Sequence, residues 1–551
     1  MGKKFVIGVD FGSDSVRAVV VDTENGNEIG RATTFYPRWK KGLYQHPERN
    51  VFRQHPLDYL ESMELCILKA LECLSPTERE AVVGIGVDTT GSTPVPVDKE
   101  GTPLALKQEF EENENAMFHL WKDHSAFLEA KEINDVFING SETDYTKYQG
   151  DYCAEWFWAK ILHTIRTDDS IRNAAYTWEE HSDWMVGVLC GETRPERMYH
   201  GACAAGHKAY WHSEWNGLPS DDVLLQLDPY LVQVKKHYGN NPQSAMVKAG
   251  NLCTEWAKRL GLSEKVVISG SSFDAHAGAV GAGIKEKTLV CTIGTSAVDM
   301  IVEKTEVLQG KNIRNICGQA ENSILPGYIG VETGQAAFGD IFAWLKKLLL
   351  WPLKRQKDSF DTVEIEEIYK KTEETLLQEL QKAAELLPKD PFPISLDWFN
   401  GRRYPNTNDF QSAMVGGLRL GMEAPYIYRS LVFGAVCGLT RIVKEFEKNE
   451  IEIENVIAVG GISKKSSYVM QMMADVLQKK VAILDAEQTC ALGAAIYAAV
   501  GAGVYSDAEK ACKQMAAKIV RIFIPCEENC EFYKKHYERY LALTRVCDSW
   551  K

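Results

Sequence analysis

Two short segments of this chain combine glycine and hydroxyl residues in a pattern that suits phosphate binding. Residues 5–22 form two β-branched runs around a turn that contains Gly12, Ser13 and Ser15, and residues 288–302 form two such runs around Gly294 and Thr295. Each segment predicts a β-hairpin with a turn of small and polar residues. A turn of this kind presents successive backbone N–H groups to an anion. Together, the two turns could hold a polyphosphate.

Other residues near these strand-like runs could complete a nucleotide site. Asp10 comes just before the first turn and is placed to bind Mg²⁺ through water, because this ion loses its waters reluctantly. Arg17 could reach a phosphate oxygen. Gly460 and Gly461 could let a purine lie against bare backbone, or they could simply form a turn with positive φ. The chain has no GxxxxGK[ST] loop and no GxGxxG after a strand, which disfavours P-loop and dinucleotide-binding folds.

Three charged residues could act on a second substrate. Asp274 follows a strand-like run and opens an Ala/Gly-rich helix, where the helix dipole favours an ionised carboxylate. It could be the general base for a hydroxyl group, or only a helix N-cap. Lys208 and Glu332 lie in glycine-flanked stretches that predict loops. They could hydrogen-bond a polyol, or they could be solvated.

The elements that must position these residues alternate between strand and helix. Runs 82–87, 266–269 and 456–459 each lead into a loop rich in glycine or hydroxyl residues, which is typical of α/β domains with ligands at strand ends. Residues 345–388 are charge-rich and predict a solvated helical insertion. Tyr533, Tyr537 and Tyr540 have helical spacing and predict a C-terminal helix that docks on the second half.

The second half of the chain echoes the first. Each half begins with a hairpin and ends with an Ala/Gly-rich helix, around 277–280 and 492–495. This order predicts a divergent duplication, with domains at 1–286 and 287–551. The small residues would let the two helices cross closely at a hinge between the domains.

Composition limits the classes of function. The chain has 551 residues, a net charge of −14, 45% apolar and 25% charged residues, so it is globular and long enough for about two large domains. The acidic balance argues against nucleic acid as a partner. Fourteen cysteines without a CxxC pair indicate a reducing compartment, and the apolar run at 490–505 is too short to span a membrane. A cytoplasmic protein without a membrane partner is expected; the charge and the insertion are compatible with a homodimer.

Taken together, these features resemble the actin, sugar-kinase and chaperone ATPase superfamily and, within it, the FGGY carbohydrate kinases over nearly the whole chain. The strings that carry the resemblance are YPRWKKGLYQHPERNVFRQHPLDY at 36–59, VGIGVDTTGSTPVPVD at 83–98, AMFHLWKDH at 116–124, VISGSSFDAHAGAVGAG at 267–283 and AVGGISKKSSYVMQMMADVL at 458–477. Within that family, FRQHP at 52–56 and LWKDH at 120–124 resemble a subgroup that acts on a 2-ketopentose.

The resemblance implies an α/β fold of two ribonuclease-H-like, actin-like ATPase domains around a central cleft. It implies that the first domain binds the sugar and carries the first phosphate hairpin, and that ATP and Mg²⁺ lie on the side of the second. The implied roles are the catalytic residue for Asp274; metal binding for Asp10; ATP binding for Gly12, Ser13, Ser15, Arg17, Gly294, Thr295, Gly460 and Gly461; and sugar binding for Ser92, Thr93, Lys208, Asp274 and Glu332.

Three alternatives to this subgroup stay open. The substrate could be another ketopentose or a pentitol, such as D-ribulose, xylulose or ribitol, because discrimination between epimers rests on one or two hydrogen bonds. The chain could instead be a non-catalytic nucleotide switch, like the actin and chaperone branches, or a degenerate kinase that serves as a sugar sensor. Asp10, Asp274 and both turns argue against the sensor.

Overall fold

The structure is a computed structural model that describes residues 2–239, 241–313, 318–360, 363–404, 407–408 and 410–549. In the first half, the strands and α-helices are β1 (Phe5–Phe11), β2 (Ser15–Asp22), β3 (Glu28–Phe35), α1 (Pro37–Lys40), β4 (Gln45–His46), β5 (Val51–Gln54), α2 (Pro56–Ala70), α3 (Pro76–Arg79), β6 (Val82–Thr89), β7 (Pro94–Val97), β8 (Phe118–His119), α4 (Phe127–Asn139), α5 (Phe157–Thr167), α6 (Asp169–Ala174), β9 (Thr177–Glu180), α7 (His181–Cys190), α8 (Ala202–Ala209), α9 (Asp221–Leu227), α10 (Pro229–His237), β10 (Lys248–Asn251), α11 (Thr254–Leu260), β11 (Val267–Phe273) and α12 (Asp274–Gly281).

The second half continues with β12 (Thr288–Ile293), β13 (Ala297–Lys304), α13 (Thr305–Leu308), β14 (Gln319–Glu321), β15 (Tyr328–Gln335), α14 (Gly339–Phe360), α15 (Val363–Glu385), β16 (Ile394–Ser395), β17 (Val415–Gly416), α16 (Ala424–Lys448), β18 (Asn455–Val459), α17 (Gly461–Lys465), α18 (Ser467–Leu477), β19 (Lys480–Leu484), α19 (Thr489–Gly501), α20 (Ala508–Met515), β20 (Ile519–Phe523) and α21 (Glu527–Ser549).

The two halves contain sheets of the same design. The first sheet has the strand order β10-β11-β6-β1-β2-β3, and the second has β14-β15-β13-β12-β18-β19-β20. In each sheet an antiparallel hairpin, β1–β2 or β12–β13, is followed in space by two parallel strands, β6 and β11 or β18 and β19. Both predicted hairpins are therefore confirmed. The shared topology confirms the α/β class and accounts for the sequence echo.

Strand β1 shows why the first sheet is central to its half. All seven of its residues are buried, and six of them are apolar or glycine, as expected for a strand that is covered on both faces. Its one charged residue, Asp10, lies near its carboxyl end. The parallel strands β6 and β11 also end at this edge. The central strands β1 and β6 thus bury apolar residues along their length and place an aspartate near their carboxyl ends.

Helices α12 and α19 cross at the junction of the halves. A Cβ on Gly281 would lie 2.0 Å from the carbonyl oxygen of Thr489, and one on Gly493 would lie 1.8 Å from that of Ala277. Only glycine allows this backbone approach, as the small-residue pattern predicted. Helix α19 also packs on β1, β6 and β11, so residue 286 separates the two sheets but not the helices that cover them.

The helical insertion and the C-terminal helix lie on the second half. Helices α14 (Gly339–Phe360) and α15 (Val363–Glu385) are largely exposed. Leu380 and Ala384 of α15 are buried in the hydrophobic core of the second half. Helix α21 docks as its tyrosines predicted: the Tyr540 hydroxyl donates to Asp397 at 2.7 Å, and Tyr533 stacks on Phe433. Among the described residues, one helix, α16, is long and apolar enough to cross a membrane; 83% of its apolar window is buried inside the protein, as in a core helix.

Candidate active site

Three carboxylates meet where the parallel strands of the first sheet end. Asp10 on β1 is in register with Asp88 on β6, and Ser272 on β11, two residues before Asp274, is also in register with Asp88. Asp10 and Asp88 are buried, and Asp274 begins α12 directly after β11. Asp88 was missed by the sequence reasoning, because its position opposite Asp10 follows from strand pairing and not from a local motif.

Burial raises the pKa of each of the three carboxyls, and neighbouring negative charges raise those of Asp88 and Asp274 further. Burial raises the pKa of Asp10, although Arg17, whose Nη1 lies 2.9 Å from its Oδ2, opposes the rise. Burial raises the pKa of Asp88 well above its usual value, and the charges of Asp10 and Asp274 add to this effect. Burial, followed by the charge of Asp10, raises the pKa of Asp274 to about 7. If all three carboxyls were ionised, the cluster would carry more negative charge than Arg17 can neutralise, so without a cation part of it tends to be protonated.

The cluster fits a divalent cation. Both carboxylate oxygens of Asp88 are buried and have no hydrogen-bond partner among the described residues. Unpaired buried carboxylates are costly unless a cation or a proton compensates them. Asp10 and Asp88 provide the hard oxygen ligands that Mg²⁺ prefers, directly or through water. Arg17, expected on a phosphate oxygen, is paired with Asp10 in this structure.

The first phosphate turn is held by the two strings that indicated a subgroup. The carbonyl of Ser13 accepts from Gln54 Nε2 at 2.7 Å, and the hydroxyl of Ser13 accepts from Trp121 Nε1 at 2.8 Å. Gly12 N–H donates to the carbonyl of Ser15, whose side chain is buried at the start of β2. FRQHP and LWKDH therefore position this turn, with Gln54 from the first and Trp121 from the second.

The second phosphate turn and the glycine pair lie side by side in the second sheet. β12 and β18 are parallel, with Thr292 opposite Val459, so Gly294 and Gly460 follow neighbouring strand ends. Gly460 has φ +102°, and a Cβ there would lie 2.3 Å from the carbonyl oxygen of Ile293. Gly460 is thus required by the turn itself. A Cβ on Gly461, by contrast, would meet nothing within 4 Å, so this residue offers open backbone to a ligand.

The backbone around Thr295 joins the second turn to α14. The carbonyl of Gly294 accepts from Gly339 N–H at 3.0 Å, and that of Thr295 accepts from Phe338 N–H at 2.8 Å and Asp340 N–H at 3.1 Å. The turn is therefore fixed against the first residues of a long helix, a rigid setting for an anion site.

Lys208 and Glu332 form an ion pair, and the prediction that they lie in loops was wrong. Lys208 lies on α8 and Glu332 on β15, with 3.2 Å between Lys208 Nζ and Glu332 Oε2. Their flanking glycines serve close packing: a Cβ on Gly206 would lie 2.5 Å from the Cβ of Ala320, and one on Gly330 would lie 2.3 Å from Ser323 Oγ. The side chains are 10% and 21% exposed, so neither is simply solvated.

The electrostatics of this pair are opposite to those of the carboxylate cluster. Burial would raise the pKa of Glu332, but Lys208 and two histidines outweigh burial and hold that pKa well below its usual range. Glu332 and Asp10 both contribute to the raised pKa of Asp274. Along the chain, Asp274 lies between Ser272, which is in register with Asp88, and His276, whose Nε2 is 4.0 Å from Glu332 Oε2.

Asp274 is the first residue of α12 and not its N-cap, which is Phe273. Its Oδ1 accepts from Ala275 N–H at 2.7 Å. The expectation that the helix dipole favours the ionised form is outweighed by burial, since the pKa is about 7. A carboxyl with this pKa is balanced between its two protonation states at neutral pH, as a general base should be.

Ser92 and Thr93 are held in a buried turn. Glu180 accepts from Ser92 Oγ at 2.7 Å and from Thr93 N–H at 2.8 Å, and Lys160 Nζ donates to the carbonyl of Ser92 at 2.7 Å. As whole residues, Ser92 and Thr93 are 1% and 0% exposed, so their backbone is as buried as their side chains. Their described hydrogen bonds fix the turn.

Known proteins are similar to this chain over its whole length. Residues 289–502 match the model of the C-terminal domain of the FGGY family of carbohydrate kinases. The chain is 42% identical to a ribulokinase of Vibrio parahaemolyticus, over 98% of this chain and 95% of the relative. It is 33% identical to a ribulokinase of Shouchella clausii, with the same two coverages.

Solved structures of sugar kinases share the fold. A xylulose kinase from Rhodospirillum rubrum superposes with a TM-score of 0.78 at 19% identity, covering 98% of this chain and 99% of that one. A glycerol kinase from Plasmodium falciparum with ADP superposes with a TM-score of 0.74 at 15% identity, covering 98% of each chain. At these identities the likeness establishes the two-domain actin-like ATPase fold alone.

The chain belongs to the FGGY family of carbohydrate kinases. It is an enzyme that phosphorylates a sugar at the expense of ATP. The curated relatives named above are ribulokinases, which confirms the subgroup indicated by the FRQHP and LWKDH strings.

Proposed function

We propose that this enzyme transfers the γ-phosphoryl group of ATP to O5 of L-ribulose and forms L-ribulose 5-phosphate, a step in the catabolism of L-arabinose. One observation carries the proposal: the chain at Asp274 joins the Asp10–Asp88 carboxylates, through Ser272, to the Lys208–Glu332 pair, through His276, and Asp274 itself has a pKa of about 7. A base in this place has the phosphate side on one flank and a charged, polyol-binding pair on the other. The names of the curated relatives support L-ribulose as the acceptor.

Asp274 acts as the general base. Its carboxylate accepts the proton of the O5 hydroxyl while that oxygen attacks the γ-phosphorus in line, and the bond from phosphorus to the β–γ bridging oxygen breaks to release ADP. Phosphoryl transfer depends mainly on positioning and charge neutralisation. Asp10 and Asp88 would hold Mg²⁺, which supplies neutralisation of the phosphate charge when it is bound.

The two glycine turns bind the phosphates of ATP through their N–H groups. Gly12, Ser13 and Ser15 belong to the first turn, Gly294 and Thr295 to the second, and the open backbone of Gly461 next to Gly460 lies against adenosine. Arg17 keeps Asp10 ionised and moves to a phosphate when ATP arrives. Lys208, Glu332 and the turn of Ser92 and Thr93 bind the sugar hydroxyls.

We assign residues 1–286 to a sugar-binding domain and 287–551 to an ATP-binding domain that carries the insertion and the C-terminal helix. The backbone contact between α12 and α19 lets the domains close around the substrates. Closure excludes water, which would otherwise accept the phosphoryl group.

An assay of ADP release over a panel of pentoses and pentitols tests the proposal. The panel contains L-ribulose, D-ribulose, both xyluloses and ribitol, and a no-sugar control. We expect the highest kcat/KM with L-ribulose. A higher kcat/KM with another member would move the assignment to that sugar, and ADP release that no sugar accelerates would favour the nucleotide switch or the sensor.

The cellular setting completes the proposal. We place the enzyme in the cytoplasm, where ATP is available and cysteine thiols stay reduced. We propose a homodimer, which light scattering of the purified enzyme would measure directly, and no nucleic-acid or membrane partner.

A further inference from the structure

His276 is a buried histidine that the mechanism above does not use. It lies in the first turn of α12, two residues after Asp274, and is 1% exposed. Neither ring nitrogen has a hydrogen-bond partner among the described residues. A buried polar group without a partner is destabilising, so such groups in native proteins call for an explanation.

The distance from His276 to Glu332 suggests which hydrogen-bond partner His276 lacks. His276 Nε2 lies 4.0 Å from Glu332 Oε2, which is too long for a direct hydrogen bond. A single hydroxyl oxygen can lie about 2.8 Å from each of two atoms this far apart and bond to both. The Glu332 side chain is 21% exposed, so a ligand can approach this gap from the Glu332 side.

The neighbouring histidine differs in its contacts. His207 Nδ1 is also 4.0 Å from Glu332 Oε2, but its ring nitrogens lie 3.3 Å from Gln149 Oε1 and 3.1 Å from Ser323 Oγ. His207 therefore has polar partners within the protein, whereas His276 does not.

A hydroxyl group fits this gap better than a metal ion. Ligand atoms of His207, His276 and Glu332 lie within 4.8 Å of one another, as a metal site would require. However, the ammonium of Lys208 already bonds the same Glu332 oxygen at 3.2 Å and would repel a cation. Burial lowers the pKa of His276 to about 4, and a neutral imidazole offers one N–H donor and one acceptor, as a polyol requires.

We propose that His276 Nε2–H donates a hydrogen bond to a hydroxyl of the acceptor sugar, which in turn donates to Glu332, so that His276 helps to select the sugar. The inference rests on the proposed function, because it places the acceptor beside Asp274. It adds a specificity-determining residue to Lys208 and Glu332. The pairing recognises a hydroxyl at one position of the sugar chain and disfavours an analogue that lacks it.

Two substitutions and a matched control test the proposal. His276→Phe keeps a ring and removes both nitrogens, His276→Gln keeps an N–H donor, and His536→Phe replaces a buried histidine that packs on Phe392 and Phe532, remote from the sugar, on α21. KM and kcat are measured for sugar and ATP, and Kd for sugar by calorimetry. We expect His276→Phe to raise the KM and Kd of the sugar about tenfold with an unchanged KM for ATP. His276→Gln should recover most of this loss, and His536→Phe should match the parent.

Deoxy analogues of the sugar identify the contact. The parent should lose affinity for the analogue that lacks the bonded hydroxyl, and His276→Phe should show no further loss with that analogue. Equal sugar affinity in the parent and His276→Phe would overturn the proposal, as would equal increases in KM for both substrates. If the parent binds one equivalent of Zn²⁺ and His276→Phe abolishes this binding, the proposal is overturned, and the gap between His276 and Glu332 is a metal site. If the panel selects a sugar other than L-ribulose, the same measurements are made with that sugar, so the two proposals fail separately.

Discussion

The Asp10–Asp88 carboxylates and the Lys208–Glu332 pair differ in how their charges are balanced, although Asp10 and Glu332 both raise the pKa of Asp274. Lys208 neutralises Glu332 within the protein, and the pKa of Glu332 falls well below its usual range. Asp10 and Asp88 share only Arg17, and burial raises both of their pKa values. The charges of the pair proposed to bind the sugar are therefore balanced before substrate binds, whereas the charges of the cluster proposed to bind Mg²⁺ are balanced only when a cation or a proton is present.

Asp274 should show the largest effect, because it joins the two regions. Asp274→Asn should keep ATP and sugar binding and lose at least ~10²-fold in kcat, since general-base catalysis contributes about 10²–10⁴-fold. Steady-state and single-turnover kinetics measure the loss. The matched control is Asp299→Asn, which replaces another buried carboxyl whose oxygens are unpartnered among the described residues and whose pKa burial raises to about 7. Unchanged turnover in Asp274→Asn would show that it is not the base.

Breaking the ion pair should raise the KM for the sugar. Lys208→Met or Glu332→Gln removes one charge of the buried pair, and we expect a loss of about 30-fold or more in sugar affinity and a much smaller change in the KM for ATP. The double variant restores neutrality. If the pair binds sugar, the double variant should recover thermal stability but not sugar affinity; recovery of both would indicate a purely structural pair.

Removing one carboxylate should weaken cation binding and stabilise the metal-free protein against unfolding. Asp88→Asn should lower the affinity for Mg²⁺ about tenfold, measured by calorimetry or by Mn²⁺ binding in paramagnetic resonance. It should also raise the Tm of the metal-free protein, because less negative charge is buried. Asp299→Asn again provides the comparison. If Asp88→Asn lowers the Tm of the metal-free protein and leaves cation binding unchanged, the proposed difference in charge balance between the two regions is wrong.

The pH dependence should distinguish the same two regions. The base must be ionised to act, so activity is present above the pKa of Asp274 and falls below it. At low MgATP, we expect kcat/KM for the sugar to fall about tenfold per pH unit below a pKa of about 7. Saturating MgATP should move this pKa down by about one unit, because a bound cation favours the carboxylate. Rates that stay constant from pH 5 to 8 would exclude the assignment.

Local motifs predicted the two hairpins because a hairpin depends on local residue types, whereas the two-domain fold was predicted from the resemblance to the FGGY family. Hydroxyl- and glycine-containing turns between β-branched runs specify hairpins wherever they occur, and both hairpins are present. The glycines around Lys208 and Glu332 were misread, since Gly206 and Gly330 permit close packing within a helix and a strand. A glycine alone does not distinguish a loop from a tight contact.

Asp88 and His276 could not be recognised without the three-dimensional arrangement. The significance of Asp88 lies in its register with Asp10, which is 78 positions away and on another strand. That of His276 lies in a 4.0 Å gap to Glu332, a residue of the other half. Neither position has a distinctive pattern of neighbours in the sequence.

The packing of α19 also bears on how the chain reaches its native state. Gly8 and Gly86 accept this late helix so closely that a Cβ on either would lie 2.0 Å or less from a carbonyl oxygen of α19. During synthesis, the face of the first sheet that packs on α19 therefore stays exposed until residues more than two hundred positions downstream have been made. A fragment that ends near residue 286 would present that face to solvent and tend to aggregate, and separately expressed halves would be expected to rescue one another only when mixed.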